Sequence, residues 1–252
     1  MKILWEKSPN KLLISRSELH LWKVNLSEIN KENRDKFEIF SGAELKRLRT
    51  FKFEKDRFRY EITHRMKRLI LAKYLASNPK DLDFTTGEYG KPVISEAFNS
   101  LDLQFNISHS HKLIIMAVTV KDAVGIDVQY HVESISIESL VEIIFSADEK
   151  IFFSSLTQQH EKMKAFYRCW TRKEAYLKAQ GLGLTVGLSS ISVDINETPI
   201  AEWLRISTLS KKEIAAWYLF PLAIDDFYTA AAVTGGLQKK ILSFDAKCFI
   251  VS

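Results

Sequence analysis

The chain has 252 residues, of which 46% are hydrophobic and 27% charged, and its formal net charge is +5. This is the composition of an ordinary globular protein, and the length fits one large domain or two smaller ones. The positive charge favours an anionic partner, such as a nucleic acid, a phosphorylated cofactor or an acidic protein, without choosing among them.

Cysteine usage and hydropathy together predict a cytoplasmic protein. Cys169 and Cys248 are far apart and outside any CxxC spacing, which argues against a disulfide framework or a zinc site. The N-terminus, MKILWEKSPN, has too few consecutive apolar residues for a signal peptide core. The longest apolar stretch, Leu113 to Val118, is far too short to span a membrane.

The first part of the chain predicts a strand, two helix starts and a loop. Residues 19–26 predict the strand, and the capping box Ser41-Gly-Ala-Glu44 marks a helix start. Apolar residues then recur at helical spacing and predict a long helix over 54–76. The segment 77–92 is rich in helix and strand breakers and predicts a loop.

Strand patterns follow the loop. Alternating residues over 101–107 and 124–129, and an apolar run over 113–120, predict three strands. Short predicted turns at 108–112 and 121–123 favour antiparallel pairing between neighbours.

The second part of the chain repeats this order. Ser146-Ala-Asp-Glu149 is another capping box, and a long helix is predicted over 160–180, ending at Gly181. Further strands are predicted at 190–195, 203–208, 213–220 and 227–234. We therefore predict an α+β fold of two similar halves, 1–121 and 122–252, each combining a helix with antiparallel strands.

The hexapeptide at 124–129 places a carboxylate in a strand. Alternation puts Val124, Ile126 and Val128 on one face, and Asp127 and Gln129 on the other. The two polar side chains could present oxygens to one point. An exposed strand face near a turn is the alternative interpretation.

The second long helix carries a carboxylate within an aromatic and apolar stripe. Phe166, Trp170, Glu174 and Leu177 fall on this stripe. A partly buried carboxylate is costly unless a cation or metal pairs with it. Lys178 lies one turn further on, so an ordinary Glu174–Lys178 ion pair is as good an explanation as a functional site.

Two further segments could contact phosphate. FNISHS ends a predicted strand with hydroxyls and an imidazole, in Ser108, His109 and Ser110, although a polar turn explains it equally well. Lys91 lies in a loop flanked by Gly87 and Gly90, where the backbone can approach a ligand closely. Loops of this composition are common.

Basic residues crowd the first long helix. They are Lys55, Arg57, Arg59, His64, Arg65, Lys67 and Arg68. A solvated helix face is the usual role of such a run. A nucleic-acid groove is the alternative, but no helix-turn-helix or zinc-finger pattern accompanies it.

Taken together and in order, four short motifs resemble the phosphopantetheinyl transferase superfamily. They are GKP, FNISHS, GIDVQ and WTRKEAYLK, which lie within residues 87–178. Weaker similarity extends back to about residue 41 and forward through GLGLTVGLSSISV. The length resembles the surfactin-synthetase-activating (Sfp-type) branch, in which one chain with two similar halves works as a pseudo-dimer.

The resemblance implies a reaction and its partners. The 4′-phosphopantetheine arm of coenzyme A would move to a serine of an apo acyl or peptidyl carrier protein, releasing 3′,5′-ADP. The enzyme would be a monomer with coenzyme A in the cleft between its halves, and would require Mg²⁺.

The resemblance also implies roles for individual residues. Asp127 and Glu174 would coordinate Mg²⁺ together with the pyrophosphate, and Lys178 would stabilise the leaving group. Glu174 is also the candidate general base, directly or through a metal-bound water. The 3′-phosphate region would be held by Arg47, Arg59, Lys91, Ser108 and His109.

One position departs from the family's pattern. The motif usually reads Gly-Ile-Asp-x-Glu, and here Gln129 replaces the glutamate. The amide removes one formal charge, but its carbonyl oxygen can still ligate the metal, or a water can take its place. We therefore include Gln129 with Asp127 and Glu174 among the predicted metal ligands.

Two alternatives stand beside the enzyme. One is a non-catalytic relative that binds coenzyme A or a carrier protein without transfer, which loss of Asp127 or Glu174 would have indicated. The other is a basic nucleic-acid-binding protein, which leaves the four motifs unexplained.

Overall fold

The computed structural model describes residues 3–30, 37–87, 89–132, 135–183, 187–196 and 217–251. The helices in these residues are α1 (Gly42–Arg49), α2 (Glu54–Leu75), α3 (Glu138–Ile144), α4 (Ala147–Ser155), α5 (Gln159–Gln180) and α6 (Lys247–Val251). The strands are β1 (Glu6–Lys7), β2 (Glu18–Asn25), β3 (Phe84–Thr86), β4 (Pro92–Ile94), β5 (Leu103–Ser110), β6 (Leu113–Val120), β7 (Val124–Tyr130), β8 (Trp217–Asp225), β9 (Tyr228–Gly235) and β10 (Lys240–Asp245). The fold is α+β, as predicted.

Four layers build the described structure. Helices α2 and α6 cover one face of a five-stranded sheet with the order β1-β10-β2-β6-β5, in a core that includes Trp22 and Met116. The other face, which carries Leu21 and Ile115, packs on a three-stranded sheet with the order β7-β9-β8. Helices α3, α4 and α5 cover the far side of that second sheet. Alternation of apolar side chains along each central strand supplies both faces.

The helices follow one repeated pattern along the chain. α1 and α2 begin at Gly42 and Glu54, and α4 and α5 begin at Ala147 and Gln159, which is the same displacement for both pairs. Both α1 and α4 open with the predicted capping boxes. Both long helices end in a left-handed residue, Ala76 for α2 and the predicted Gly181 for α5.

The capping-box glutamates tie each short helix to the next long helix. Glu44 accepts from Arg68 Nε at 2.7 Å and from Lys67 Nζ at 3.0 Å. Glu149 accepts from Lys173 Nζ at 2.5 Å. A buried carboxylate is stable only when it is paired in this way. The correspondence supports the predicted similarity of the halves.

The end of the chain crosses back to the first sheet. β10 pairs in parallel with β2, and Phe244 and Ile250 join the core around Trp22. The five-stranded sheet is therefore mixed rather than purely antiparallel. The predicted division at residue 121 did not include this crossing, and the assignment of 122–252 to a second half stays a prediction.

One predicted connection was confirmed and two others were wrong. β5 and β6 form the predicted antiparallel pair, although β5 continues to Ser110 and the turn is confined to residues 111–112. β6 and β7 are not neighbours, because β7 pairs with β9 in the other sheet. The predicted loop over 77–92 contains strand β3 and the start of its partner β4.

Some predictions for the last third of the chain also failed. Residues 190–195 form no strand, and a 3-10 turn at Leu188–Ser190 precedes them. β10 and α6 were not predicted. The strand predicted at 203–208, and the first residues of the one at 213–220, lie outside the described residues.

The basic face of α2 is less solvated than predicted. Arg65, Lys67 and Arg68 are buried, and His64 Nδ1 donates to Glu44 Oε1 at 2.7 Å. Only Lys55 and Arg57 of the seven predicted basic residues are fully exposed.

Candidate functional site

The site forms where β7 crosses α5, and a glycine permits the crossing. A Cβ atom at Gly125 would lie 2.0 Å from the carbonyl oxygen of Ala175 and 2.3 Å from the amide nitrogen of Ala179. Only glycine lets the two backbones approach so closely. The face of β7 that carries Asp127 is therefore packed against a helix, and the alternative of an exposed strand face is wrong.

Asp127 is the buried centre of the site. The residue is 1% exposed, and Oδ1 accepts hydrogen bonds from Ser108 Oγ at 2.9 Å and Lys178 Nζ at 2.5 Å. Lys178 Nζ also donates to Ser108 Oγ at 3.2 Å. The structure thus brings together three predicted site residues from β5, β7 and α5. Lys178 provides the positive charge that a buried carboxylate requires.

Glu174 lies one helical turn before Lys178 but does not pair with it. Among the described residues, its carboxylate has no hydrogen-bond or ion-pair partner, so the Glu174–Lys178 alternative is wrong. Burial, together with the nearby charge of Asp127, raises the pKa of Glu174, although Lys178 opposes the shift. A half-buried carboxylate beside another carboxylate is a strong site for a cation.

Gln129 adjoins Asp127 along the same strand face. Its Nε2 donates to Asp127 Oδ2 at 3.1 Å. Gln129 therefore orients the second oxygen of Asp127 through its amide nitrogen. Gln129 also lines a groove of about 340 Å³, together with Tyr130, Phe166 and Trp170.

Basic side chains extend the site along β5 and α2. His109 keeps part of its ring exposed, and partial burial together with the charges of Arg59 and Lys178 lowers the pKa of His109. Arg59 is ion-paired with Asp56 at 2.7 Å and lines a cavity of about 570 Å³ with Lys55 and His111. Glu54 and Asp56 also line this cavity, so its charge is mixed, whereas His109 lies near the positive charges of Arg59 and Lys178.

Two predicted phosphate contacts have other partners. Lys91 Nζ donates to the carbonyl oxygens of Val124 at 2.8 Å and Ala179 at 3.4 Å, and burial lowers the pKa of Lys91 to about 8. Arg47 is exposed on α1, with its guanidinium over the ring of Phe51. No hydrogen bond or ion pair between described residues connects Arg47 to Asp127.

Two family models match consecutive parts of the chain. A model described as the 4′-phosphopantetheinyl transferase superfamily matches residues 123–232, and one described as 4′-phosphopantetheinyl transferase, N-terminal, matches residues 22–121. The 4′-phosphopantetheinyl transferase HetI of Nostoc sp. is 33% identical over 232 residues, which cover 92% of this chain and 94% of HetI. The chain belongs to the 4′-phosphopantetheinyl transferase superfamily.

Other relatives in this superfamily match over shorter stretches. The 4′-phosphopantetheinyl transferases ffp and Sfp of Bacillus subtilis are 32% and 30% identical over 172 residues. Each alignment covers 67% of this chain and 73% of the relative. These similarities are consistent with the Sfp-type branch suggested by the sequence.

The oxygen donors of this transferase fit a magnesium ion. The described residues contain no group of three or more His, Cys, Asp or Glu side chains that could hold a metal alone. Mg²⁺ is commonly bound by one or two carboxylates together with substrate phosphates. Asp127 and the unpartnered Glu174 provide that donor set, so a phosphate-bearing ligand would have to complete the shell.

Asn106 was not among the predicted site residues, although it lies within FNISHS. Asn106 Oδ1 accepts from the Ile126 amide at 2.9 Å, across the junction between β5 and β7. The signal was available in the alternation of small polar acceptors at Asn106, Ser108 and Ser110.

No helix among the described residues is long and apolar enough to cross a membrane.

Proposed function

We propose that this protein transfers the 4′-phosphopantetheine moiety of coenzyme A to a serine of an apo carrier protein. One observation carries the proposal. A buried aspartate on β7 and an unpartnered glutamate on α5 meet beside a lysine where the two sheets adjoin. Such a grouping suits a metal–diphosphate substrate.

Asp127 and Glu174 are the residues that would hold Mg²⁺, with Gln129 beside them. When bound, the ion would neutralise the diphosphate and stabilise charge on the leaving group. Ser108 and Gln129 keep Asp127 oriented through hydrogen bonds to its two oxygens. Lys178, already within reach of Asp127, supplies a second positive charge for the diphosphate.

The reaction itself needs positioning and one proton acceptor. The carrier serine oxygen forms a bond to the β-phosphorus, and the bond from that phosphorus to the leaving oxygen breaks. The leaving 3′,5′-ADP takes the electron pair of the broken bond. We assign the serine proton to Glu174, directly or through a water, because its carboxylate has no hydrogen-bond or ion-pair partner among the described residues.

The proposed site for the 3′-phosphate of coenzyme A lies beside His109, near the positive charges of Arg59 and Lys178. Ser108 precedes His109 on strand β5. Lys91 would have to release Val124 and Ala179 to reach a phosphate. Arg47 stays a predicted contact with weaker support, because it packs on Phe51.

A nucleic-acid role has less support than the transferase role. His64, Lys67 and Arg68 converge on Glu44 inside the protein and are not arranged on a free basic face. We further propose that the chain acts as a monomer, because Ser108 of the first predicted half and Asp127 of the second meet within one chain. The proposed cytoplasmic location rests on the two free cysteines.

Intact-mass spectrometry tests the proposed function. The protein would be incubated with Mg²⁺, coenzyme A and a panel of apo acyl and peptidyl carriers. We expect one phosphopantetheine per carrier serine, equimolar 3′,5′-ADP, and no transfer in excess EDTA. If coenzyme A binds but no carrier in the panel gains mass, the non-catalytic alternative replaces the proposal.

A further inference from the structure

The two sheets adjoin along their edge strands, β5 and β7, which are joined through side chains. β5 is the edge strand of the five-stranded sheet, and β7 is the edge strand of the three-stranded sheet. Both strands are fully described, and no backbone hydrogen bond joins them. Three side chains of β5 instead accept hydrogen bonds from backbone amides of β7.

These contacts form a regular series, which we call the side-chain ladder (Asn106, Ser108 and Ser110). Asn106 Oδ1 accepts from the amide of Ile126 at 2.9 Å. Ser108 Oγ accepts from the amide of Val128 at 3.3 Å, and Ser110 Oγ from the amide of Tyr130 at 2.9 Å. Each step advances two residues on both strands, as side chains on one strand face must.

The side-chain ladder solves two problems at this edge. Buried amides on the free side of β7 need acceptors, since its other side pairs with β9. The strands also need a fixed register, because a slip of one residue turns every side chain to the opposite face. A slip here would replace Asp127 with an apolar side chain at the site.

The middle rung belongs to both the side-chain ladder and the site. Ser108 Oγ accepts from the Val128 amide and also donates to Asp127 Oδ1 at 2.9 Å. The position of β7 along β5 therefore decides whether Asp127 meets Ser108 and Lys178. The rungs on either side of Ser108 hold that position.

We propose that Asn106 is a positioning residue for the transferase site. Asn106 is 6% exposed, and it accepts from the amide of Ile126, the residue directly before Asp127. Loss of its acceptor would leave a buried amide unpaired, whereas the partly exposed Ser110 rung can be replaced by water. The functional part of this inference rests on the proposed function, but the structural part does not.

Asn99 provides a matched control for Asn106. Its Oδ1 accepts from the Leu103 amide at 2.7 Å, and its Nδ2 donates to the Leu103 carbonyl at 3.0 Å. Asn99 and Asn106 are the same residue type, and in both the side-chain Oδ1 accepts from a backbone amide. Its contacts stay within the first half, at the start of β5.

Two measurements compare Asn106→Ala with Asn99→Ala. Amide hydrogen exchange followed by NMR reports on Ile126, and calorimetry reports on coenzyme A binding with Mg²⁺. For Asn106→Ala we expect at least about tenfold faster exchange at Ile126 and about tenfold weaker coenzyme A binding, the effect of one lost hydrogen bond. Asn99→Ala should leave both values within about twofold of the wild type, even if it unfolds more easily.

A third variant, Asn106→Asp, keeps an acceptor oxygen and should keep the Ile126 amide protected. Equal exchange at Ile126 in Asn106→Ala and Asn99→Ala would overturn the inference, as would unchanged coenzyme A binding in Asn106→Ala. A wild-type protein that binds coenzyme A but modifies no carrier would refute the proposed transfer. The exchange and binding results would still decide the role of Asn106.

Discussion

Asp127 accepts hydrogen bonds on both of its carboxylate oxygens. Lys178 and Ser108 contact Oδ1, and Gln129 contacts Oδ2. Glu174, in contrast, has no hydrogen-bond partner among the described residues. The departure from the usual Gly-Ile-Asp-x-Glu motif therefore removes one formal charge and adds a hydrogen-bond donor to Asp127 that an ionised glutamate would lack.

Replacement of Gln129 tests whether it supports Asp127 or binds the metal. Gln129→Ala should lower the transfer rate by about tenfold or less, the effect of one lost hydrogen bond, because water can fill a neutral ligand's place. Gln129→Glu should reduce the Mg²⁺ concentration at half-maximal rate but lower the melting temperature in EDTA, since like charges would then adjoin. A rate for Gln129→Ala as low as that of Asp127→Ala, in a folded protein, would identify Gln129 as an essential ligand.

At the scale of elements, the contact between β7 and α5 determines the site. Gly125 allows the strand backbone to touch the helix backbone at Ala175 and Ala179. The same helix carries Glu174 and Lys178, so the close contact brings both side chains to Asp127. A larger residue would separate the elements.

Gly125→Ala tests this contact. We expect a loss of about 3 kcal/mol or more in the free energy of unfolding, and loss of transfer, because the added methyl group meets backbone atoms that cannot rotate away. Gly42→Ala is the control, since nothing lies within 4 Å of its added Cβ. Denaturant unfolding that gave the two variants equal stability would contradict the contact.

Elements with local signals were predictable from the sequence, and those that depend on distant partners were not. The capping boxes and α5 follow from spacing within a few turns. Residues 190–195 alternate like a strand, but their backbone is held by side chains: Val193 donates to Glu149, and Arg168 donates to the carbonyl oxygen of Ile195. β10 depends on parallel pairing with β2, which no local pattern reveals.

The sequence motifs predicted which residues belong to the candidate site, but not which of them contact one another. The motifs named Asp127, Glu174, Lys178 and Ser108, and three of these converge in the structure. The partner of Lys178 could not be read from helical spacing, because the nearer acceptor comes from another element. The role of Asn106 likewise depends on how two sheets meet.

Across the whole molecule, ionic clusters fasten distant parts of the chain. Asp122, in the connection between β6 and β7, accepts from Arg16 Nη2 at 2.8 Å and is ion-paired with the buried Lys239. This cluster joins the first strands, the connection and the turn before β10. In the core of the first half, His20 Nδ1 lies 2.7 Å from Tyr74 Oη.

His20 should make stability fall in mild acid. Burial lowers the pKa of His20 to about 4, although Glu18 at 3.8 Å opposes the shift, so the folded protein holds the ring neutral. The neutral ring's contribution to the free energy of unfolding is fully present above the ordinary pKa of about 6.5. It is lost as the pH falls towards 4, by about 3 kcal/mol in total. Urea unfolding from pH 7 to 4.5 should show a flatter pH dependence for His20→Asn than for the wild type. Parallel curves for the two proteins would contradict this assignment.

The transfer rate of Asp127→Asn shows whether the buried carboxylate of Asp127 is needed for catalysis. This variant keeps the shape of the side chain but removes the charge that would hold a metal. Intact-mass analysis of an apo carrier, with coenzyme A and Mg²⁺, should show a loss of at least about a hundredfold in transfer rate, as expected when a charged group is removed from a site that stabilises developing charge. Unfolding curves would confirm that the variant is folded. A folded Asp127→Asn protein that modifies the carrier at the wild-type rate would contradict the account.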